Sequence, residues 1–259
     1  MNTVDLQWAA ETRREEGQMD SVLLIGQSNM CGRGIIGSVS PIDPRGMMFM
    51  LRNGRWQPMS EPINPDRRIY VEKDTDFRSG VSLAASFAEE YAAAYGRRIG
   101  LIPCADGGTR LLEWQPGEIL FDHAVMMSRL AQRTSRIVGI LWHQGESDSK
   151  DREDAQAYER RFFAMLDPLM EALGLPAETP VILGELTERL TDRWPYTPEV
   201  NRTLHQIADS RPSFGIAQAT DLPLSADNIH FSGPAYRTLG RRYFEAYRQA
   251  MERVKGGQV

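Results

Sequence analysis

The chain contains 259 residues, of which 30 are Lys or Arg and 35 are Asp or Glu, so its formal net charge is −5 at neutral pH. With 41% hydrophobic residues, the composition is globular, and the chain can bury a core without disulfides or a structural metal. The apolar run at 22–25 is far shorter than the roughly 18 residues of a transmembrane helix. We therefore expect no membrane insertion, and the acidic balance with scattered arginines argues against nucleic-acid binding.

The N-terminal stretch and the cysteines bear on the compartment and on metals. The N-terminal stretch carries mixed charge and lacks both the apolar core and the cleavage site of a signal peptide, so we expect a cytoplasmic protein. Cys31 and Cys104 are the only two cysteines, too few for a disulfide framework and without the paired spacing of a zinc site. The sequence therefore predicts free thiols, no metal and no cofactor.

Short continuous apolar runs predict buried strands, because a strand covered by helices on both faces shows no polar alternation. In chain order these runs lie at 22–25, 47–51, 99–102, 137–142, 181–183 and 214–218. Amphipathic stretches predict helices at 82–95, 119–134, 155–173 and 234–254. The alternation of strands and helices predicts one α/β domain over residues 1–259, with a parallel sheet between helices.

Two segments interrupt this alternation. Residues 33–79 contain five prolines and an Asn53-Gly54 turn, which predicts a β-hairpin followed by an irregular excursion. A second loop-rich piece spans 187–197. The glycines of 32–37 match the dinucleotide-binding spacing, but no strand leads directly into them and prolines follow, so we reject a nucleotide site.

Polar clusters follow four of the predicted strands, at the sheet edge where open parallel sheets bind ligands. The clusters are Gly-Gln-Ser-Asn-Met at 26–30, Cys-Ala-Asp-Gly-Gly-Thr at 104–109, His-Gln-Gly-Glu-Ser-Asp at 143–148 and Asp-Asn-Ile-His at 227–230. Together they supply a hydroxyl nucleophile, a histidine with an acidic neighbour, a glycine pair and a carboxamide. These are the parts of an acyl-transfer site.

A serine hydroxyl is a weak nucleophile until a positioned base takes its proton, and that base needs an acid to fix its tautomer. Asp227, three residues before His230, can hold the imidazole Nδ1 while Nε2 turns toward Ser28. We therefore predict Ser28, Asp227 and His230 as the catalytic residues. The backbone N–H groups of Ser28 and Gly108 and the amide of Gln144 are the predicted oxyanion hole.

Further polar residues of the clusters are predicted to bind substrate or to support the triad. His143 either lines the site or packs behind it, and Glu146 is the substitute acid only if Asp227 fails. Trp114, Trp142 and Trp194 either form a sugar platform or pack in the core. The full set of supporting residues is Gln27, Asn29, Gly107, Thr109, His143 and Glu146.

In this order, the four clusters resemble the blocks of SGNH hydrolases and, more narrowly, carbohydrate acetylesterases of carbohydrate esterase family six and the sialate O-acetylesterases. The resemblance rests on 26–30 with Gly32, 107–109 followed by Trp114, 142–148, and Asp227 with His230, and covers about residues 20–250. It implies a flavodoxin-like three-layer α/β/α sandwich, the same triad and oxyanion hole, and removal of O-linked acetyl groups from sugars.

Two alternative functions stay open at this point. A lipid or thioester hydrolase of the same fold would use the same chemistry on a longer acyl chain. A noncatalytic sugar-binding protein would use the fold without the reaction. In each case the expected partner is a small molecule or an oligosaccharide.

Overall fold

A seven-stranded sheet organises the residues that this computed structural model describes, 19–65 and 78–257. The strands are β1 (Met19–Gly26), β2 (Met48–Arg52), β3 (Arg55–Pro58), β4 (Ile99–Pro103), β5 (Ser135–His143), β6 (Val181–Gly184) and β7 (Phe214–Ala217). Their order across the sheet is β3-β2-β4-β1-β5-β6-β7, and every neighbouring pair is parallel except the β2–β3 hairpin. The central strand, β1, thus lies between β4 and β5.

All six predicted strands are present, with ends that differ from the apolar runs by at most three residues. The predicted hairpin joins β2 to β3 through Asn53 and Gly54, which have φ of 52° and 74°. Two successive left-handed residues match the right-handed twist of an antiparallel pair, and Asn-Gly reaches that conformation at little cost. The excursion that follows extends into residues 66–77, which lie outside the described part.

Helices cover both faces of the sheet. They are α1 (Ser28–Cys31), α2 (Leu83–Tyr95), α3 (Ile119–Ala131), α4 (Arg152–Leu173), α5 (Thr197–Asp209) and α6 (Gly233–Gly256). The predicted helices correspond to α2, α3, α4 and α6, whereas the apolar runs did not single out α5. Short 3-10 turns lie at Leu111–Trp114, Asp148–Lys150 and Glu188–Asp192, the last within the stretch expected to be loop.

The alternating side chains of β1 divide the core into two layers. Val22 and Leu24 pack with residues of α2 and α6, whereas Leu23 and Ile25 pack with residues of α3, α4 and α5. Both layers are apolar, so β1 reads as a continuous hydrophobic run. The three-layer α/β/α arrangement expected from the sequence is confirmed. No helix of the described residues is long and apolar enough to cross a membrane.

Two of the three candidate platform tryptophans belong to this core. Trp114 and Trp142 are 1% and 0% exposed, and their rings pack edge to face at a centroid distance of 5.6 Å. Their rings fill the layer beneath the sheet edge and cannot stack on a sugar. Of the two roles considered from the sequence, core packing is therefore the one observed for Trp114 and Trp142, whereas Trp194 is partly exposed and packs against Lys150.

A buried carboxylate ties the amino end of β1 to its surroundings. Asp20 is 0% exposed and accepts hydrogen bonds from Tyr91 at 2.9 Å, from Arg136 at 3.0 Å and from Arg97. Burial raises the pKa of the Asp20 carboxyl, but these three donors outweigh it and hold the pKa below its usual value. The charged form is thus fully paired at the opposite end of the sheet from the polar clusters.

Replacing Asp20 with alanine should destabilise the fold without touching that polar edge. We expect Asp20→Ala to lower the free energy of unfolding by about 2 kcal/mol in urea denaturation, because three donors lose their acceptor. Asp43 pairs with Arg45 on the surface, so Asp43→Ala is the matched control and should change stability by less than about 0.5 kcal/mol. Equal effects of the two substitutions would refute the role given to Asp20.

Candidate active site

The end of β1 delivers Ser28 to the carboxyl edge of the sheet. Gly26 has a φ of 126°, and a Cβ at this position would lie 2.2 Å from the carbonyl oxygen of His143. Only glycine therefore lets the chain leave β1 this close to the end of β5. The turn continues into the single-turn helix α1, whose first residue is Ser28. Ser28 is consequently held between the strands that carry the other polar clusters.

The loop before α6 brings an imidazole to this hydroxyl. His230 Nε2 lies 2.9 Å from Ser28 Oγ, and His230 Nδ1 lies 2.6 Å from Asp227 Oδ2. The other carboxylate oxygen, Asp227 Oδ1, accepts hydrogen bonds from the backbone N–H groups of Ile229 and His230, each at 2.9 Å. The three predicted catalytic side chains thus form one continuous hydrogen-bonded chain.

Electrostatics set the charge of each member of this chain. Partial burial raises the pKa of Asp227, but the N–H groups of His230 and Ile229 and the imidazole outweigh it and bring the pKa to about 2. Burial lowers the pKa of His230; Asp227 opposes that shift, and the Arg33 guanidinium adds to it. At neutral pH the carboxylate is therefore charged and the imidazole neutral, which leaves Nε2 able to accept a proton.

Two backbone N–H groups of the polar clusters have no acceptor among the described residues. One belongs to Ser28 itself, at the first position of α1. The other belongs to Gly108, which is exposed in the loop after β4 and has a φ of 74°. Thr109, the next residue, is buried and its hydroxyl accepts a hydrogen bond from Trp114 Nε1 at 3.1 Å. The predicted glycine pair, Gly107 and Gly108, therefore lies in a loop that is anchored to the core through Thr109.

The Gln144 carboxamide lies in a fully buried network beneath this loop. Its Nε2 faces Thr109 O at 2.9 Å, Asp148 Oδ2 at 2.5 Å and Gln27 Oε1 at 3.3 Å. Its Oε1 accepts a hydrogen bond from Tyr158 at 3.0 Å. Two N–H groups thus face three acceptors. Gln144 can serve an oxyanion only by giving up one of these, and the contact with Gln27 is the longest.

Asn29, the residue after Ser28, forms a second buried pair with Glu146. Asn29 Nδ2 donates a hydrogen bond to Glu146 Oε1 at 2.7 Å, and Asn29 Oδ1 accepts one from Tyr236 at 2.7 Å. Burial raises the pKa of Glu146 to about 7, although the hydrogen bond from Asn29 acts to lower it. Tyr236 lies in the first turns of α6, and its sequence context gave no sign of this contact.

His143, one of the candidate residues, points into the core. It is 0% exposed, its Nδ1 lies 2.9 Å from the hydroxyl of Tyr243, and burial lowers its pKa to about 3. Since Tyr243 donates its own proton to Trp142 O, the hydrogen between the two side chains belongs to His143 Nδ1. Of the two roles considered from the sequence, the observed position is that of a packed core histidine.

Metal ligands do not cluster in the described part of the chain. No group of three or more His, Cys, Asp or Glu side chains there converges in a way that could hold a metal ion. Asp148, the other half of the acidic pair at 146–148, accepts hydrogen bonds from Leu111 N at 3.0 Å and from Gln144. Both acidic side chains of the pair thus have hydrogen-bond donors as partners.

Comparison with known proteins agrees with this architecture. A family model described as "Carbohydrate esterase, sialic acid-specific acetylesterase" matches residues 18–249. A probable carbohydrate esterase of Arabidopsis thaliana is 29% identical over 243 residues, which cover 87% of this chain and 88% of the relative. The X-ray structure of that Arabidopsis protein has a TM-score of 0.75 at 28% identity, over 88% of this chain and 97% of the other.

More distant structures share the fold. NanS has a TM-score of 0.69 at 17% identity, over 90% of this chain and 98% of its own. A carbohydrate acetylesterase of Xanthomonas citri has a TM-score of 0.60 at 18% identity, over 90% of this chain and 57% of its own. The SGNH-hydrolase fold implied by the sequence resemblance is confirmed. The chain belongs to the carbohydrate esterase family of sialic acid-specific acetylesterases.

Proposed function

We propose that this protein is a serine esterase that removes O-acetyl groups from carbohydrates, with Ser28 as nucleophile, His230 as general base and Asp227 as the acid that orients it. The observation that carries the proposal is the hydrogen-bonded chain of 2.9 Å and 2.6 Å from Ser28 through His230 to Asp227. Membership of the carbohydrate esterase family supports hydrolysis of acetyl esters. The geometry supplies a mechanism for it.

The first half of the proposed reaction transfers the acetyl group to the enzyme. His230 Nε2 takes the proton of Ser28 as Oγ attacks the acetyl carbonyl carbon, and the carbonyl electron pair moves to oxygen. The tetrahedral intermediate then collapses, the bond to the sugar oxygen breaks, and that oxygen takes the proton from His230. The products of this half are the free sugar hydroxyl and an acetyl ester on Ser28.

In the second half of the proposed reaction, water is the nucleophile and Ser28 Oγ is the leaving group. His230 Nε2 accepts a proton from water, the resulting hydroxide attacks the acetyl carbonyl, and collapse releases acetate while the proton returns to Ser28 Oγ. Asp227 stays charged throughout, because its pKa is about 2. Its carboxylate stabilises the imidazolium that forms in each half without itself taking the proton.

The oxyanion of each tetrahedral intermediate needs fixed hydrogen-bond donors. The unpaired N–H groups of Ser28 and Gly108 are the first two in our proposal, and a Gln144 N–H released from Gln27 is the third. Gln144 has a further part in the proposal: through Thr109 O and Asp148 it connects the loops after β4 and β5. It would therefore hold the Gly108 N–H in place as well as donate.

The proposed substrate is an acetyl ester of a sugar, and the family description makes O-acetylated sialic acid the first one to test. Trp194, partly exposed beside Lys150 at the same sheet edge, is the candidate side chain for packing against a sugar ring. A lipid or thioester hydrolase of the same fold is distinguished by the preferred acyl length. A noncatalytic protein is excluded by any turnover that depends on Ser28.

The pH dependence of kcat/KM tests the protonation state of His230. Because burial keeps the pKa of His230 below 6.5, the base should be neutral at pH 7 and lose activity only as it is protonated at lower pH. We expect kcat/KM for p-nitrophenyl acetate to reach half its maximum below pH 6.5. Glu146→Gln, which removes a carboxyl of pKa about 7, should leave this limb in place. A half-maximum above pH 6.5 in both proteins would contradict the assignment.

Substitution of the triad tests the role of each member. Ser28→Ala should leave only background hydrolysis, and Asp227→Asn should lower kcat by up to about 10⁴-fold, because the imidazole loses the partner that fixes its tautomer. Asp221→Asn is the matched control, since Asp221 lies in the same region but pairs with Arg242 on the surface. If Asp221→Asn or Glu146→Gln proved as damaging as Asp227→Asn, another acid would have to be assigned.

Acyl-chain preference tests the substrate class. A pocket that fits an acetyl group should discriminate against each added methylene by roughly 1 to 3 kcal/mol in kcat/KM. We therefore expect p-nitrophenyl acetate to be hydrolysed much faster than the butyrate and the octanoate, and O-acetylated sialic acid to release acetate, with Ser28→Ala inactive on all of them. A maximum at octanoate would instead identify a lipid esterase.

A further inference from the structure

The side chain next to the nucleophile contacts the backbone on both sides of the histidine. Asn29 Nδ2 donates a hydrogen bond to Ile229 O at 3.4 Å, and Asn29 Oδ1 accepts one from Phe231 N at 3.4 Å. Ile229 and Phe231 are the two neighbours of His230 in the chain. Asn29, the residue that follows Ser28, is therefore hydrogen-bonded to the backbone immediately before and immediately after His230.

This amide has no free hydrogen-bonding capacity. A carboxamide offers two N–H groups and two acceptor positions. Asn29 uses both N–H groups on Glu146 Oε1 and Ile229 O, and both acceptor positions on Phe231 N and the Tyr236 hydroxyl. Rotation of the amide by half a turn would oppose donors to donors. All four partners together thus fix the orientation of the amide, and this orientation allows its hydrogen bonds to the histidine loop.

The histidine loop is joined to α1 by these polar contacts, while Phe231 packs in the core against His143 and Tyr236. Hydrogen bonds within residues 224–231, such as Ser225 N to His230 O at 2.8 Å and Ile229 N to Asp227 Oδ1 at 2.9 Å, fix the shape of the loop only. Among the described residues, the hydrogen bonds that leave this segment end on Ser28 or on Asn29. The distance between the loop and α1 is therefore not determined by the internal bonds of the loop.

Glu146 holds the amide from beneath. Its carboxyl is 1% exposed, and Oε1 accepts the shorter of the two hydrogen bonds from Asn29 Nδ2, at 2.7 Å. Glu146 Oε2 has no hydrogen-bond partner in the described part of the chain. The contact with Asn29 thus needs an acceptor oxygen at this position but not a charge, and a glutamine can supply the same oxygen.

We propose that Asn29, anchored by Glu146, is a positioning residue that holds His230 Nε2 within proton-transfer distance of Ser28 Oγ. The proposal rests on the proposed function. Ser28, Asn29, the 229–231 backbone and His230 form a closed ring of covalent and hydrogen bonds. Opening this ring at Asn29 lets the loop carry the imidazole away from the hydroxyl, and a displacement of about 1 Å at a reacting group costs on the order of 10²-fold in rate.

Asn29→Ala should therefore lower kcat by about 10²-fold and leave KM near its original value, because the buried Asn29 side chain contacts its four protein partners rather than the substrate. Glu146→Leu should lower kcat at least tenfold, and Glu146→Gln should restore it to within about threefold of the original, since the acceptor oxygen returns. This rescue separates positioning from a general need for a carboxylate or for a filled core.

Asn201→Ala is the matched control. Asn201 is a buried asparagine that likewise holds a backbone segment from both sides, with Oδ1 accepting from Leu186 N at 2.8 Å and Nδ2 donating to Leu186 O at 2.9 Å. Among the described residues its side chain hydrogen-bonds to Leu186 and not to the triad loops, so its loss should lower stability and leave kcat unchanged. An equal fall of kcat in Asn29→Ala and Asn201→Ala would overturn the proposal, as would a kcat for Asn29→Ala within threefold of the original.

Labelling of Ser28 by a fluorophosphonate tests the role of Asn29 separately from the proposed substrate. The reagent needs an activated serine but no acetylated sugar. A chain that is labelled but hydrolyses no acetyl ester would refute the substrate, and the labelling rate would then take the place of kcat in each comparison. Should Asn29→Ala not fold, Glu146→Leu and Glu146→Gln decide alone: equal rates for the two overturn the proposal, and slow labelling restored by glutamine supports it.

Discussion

The contact on which the site depends joins Ser28 and His230, which are 202 positions apart in the chain and 2.9 Å apart in space. Neither residue is placed by its neighbours in sequence alone. The central strand β1, confined between β4 and β5, brings Ser28 to the sheet edge, and the turn at Gly26 lets it leave beside the end of β5. The loop before α6 returns the chain to the same edge. The long apolar run of β1 is thus the physical basis of the site's geometry.

Burial divides the carboxyl groups of this region into two kinds. Asp227, close to the surface and supplied with two backbone N–H donors, has a pKa of about 2. Glu146 and Asp148, in the buried layer beneath, have pKa values raised by burial to about 7 and about 6. Asp227 is thus charged next to the imidazole, whereas the buried Glu146 and Asp148 ionise less readily. This difference places the negative charge beside the position where an imidazolium would form. The buried acids serve instead as hydrogen-bond acceptors for Asn29 and Gln144.

The sequence allowed the fold and the positions of the clusters to be predicted, because continuous apolar runs and glycine-containing turns act locally. It did not give the bounds of α5, whose residues follow a proline-containing stretch that is typical of a loop. It also left the directions of side chains open. His143 and Trp114 lie beside site residues in the chain but point into the core, and the four partners of Asn29 lie at least 117 positions away from it in sequence. Such contacts depend on tertiary packing, which periodicity and spacing do not encode.

In the proposed mechanism Ser28 carries the acetyl group between sugar and water. Rapid acid quenching during turnover of an acetyl ester, followed by peptide mass mapping, measures this directly. We expect an acetyl adduct on the peptide that contains Ser28, formed before the steady state and absent from Ser28→Ala. Acetate release by Ser28→Ala at an undiminished rate, with no adduct on Ser28 in the unaltered protein, would contradict it.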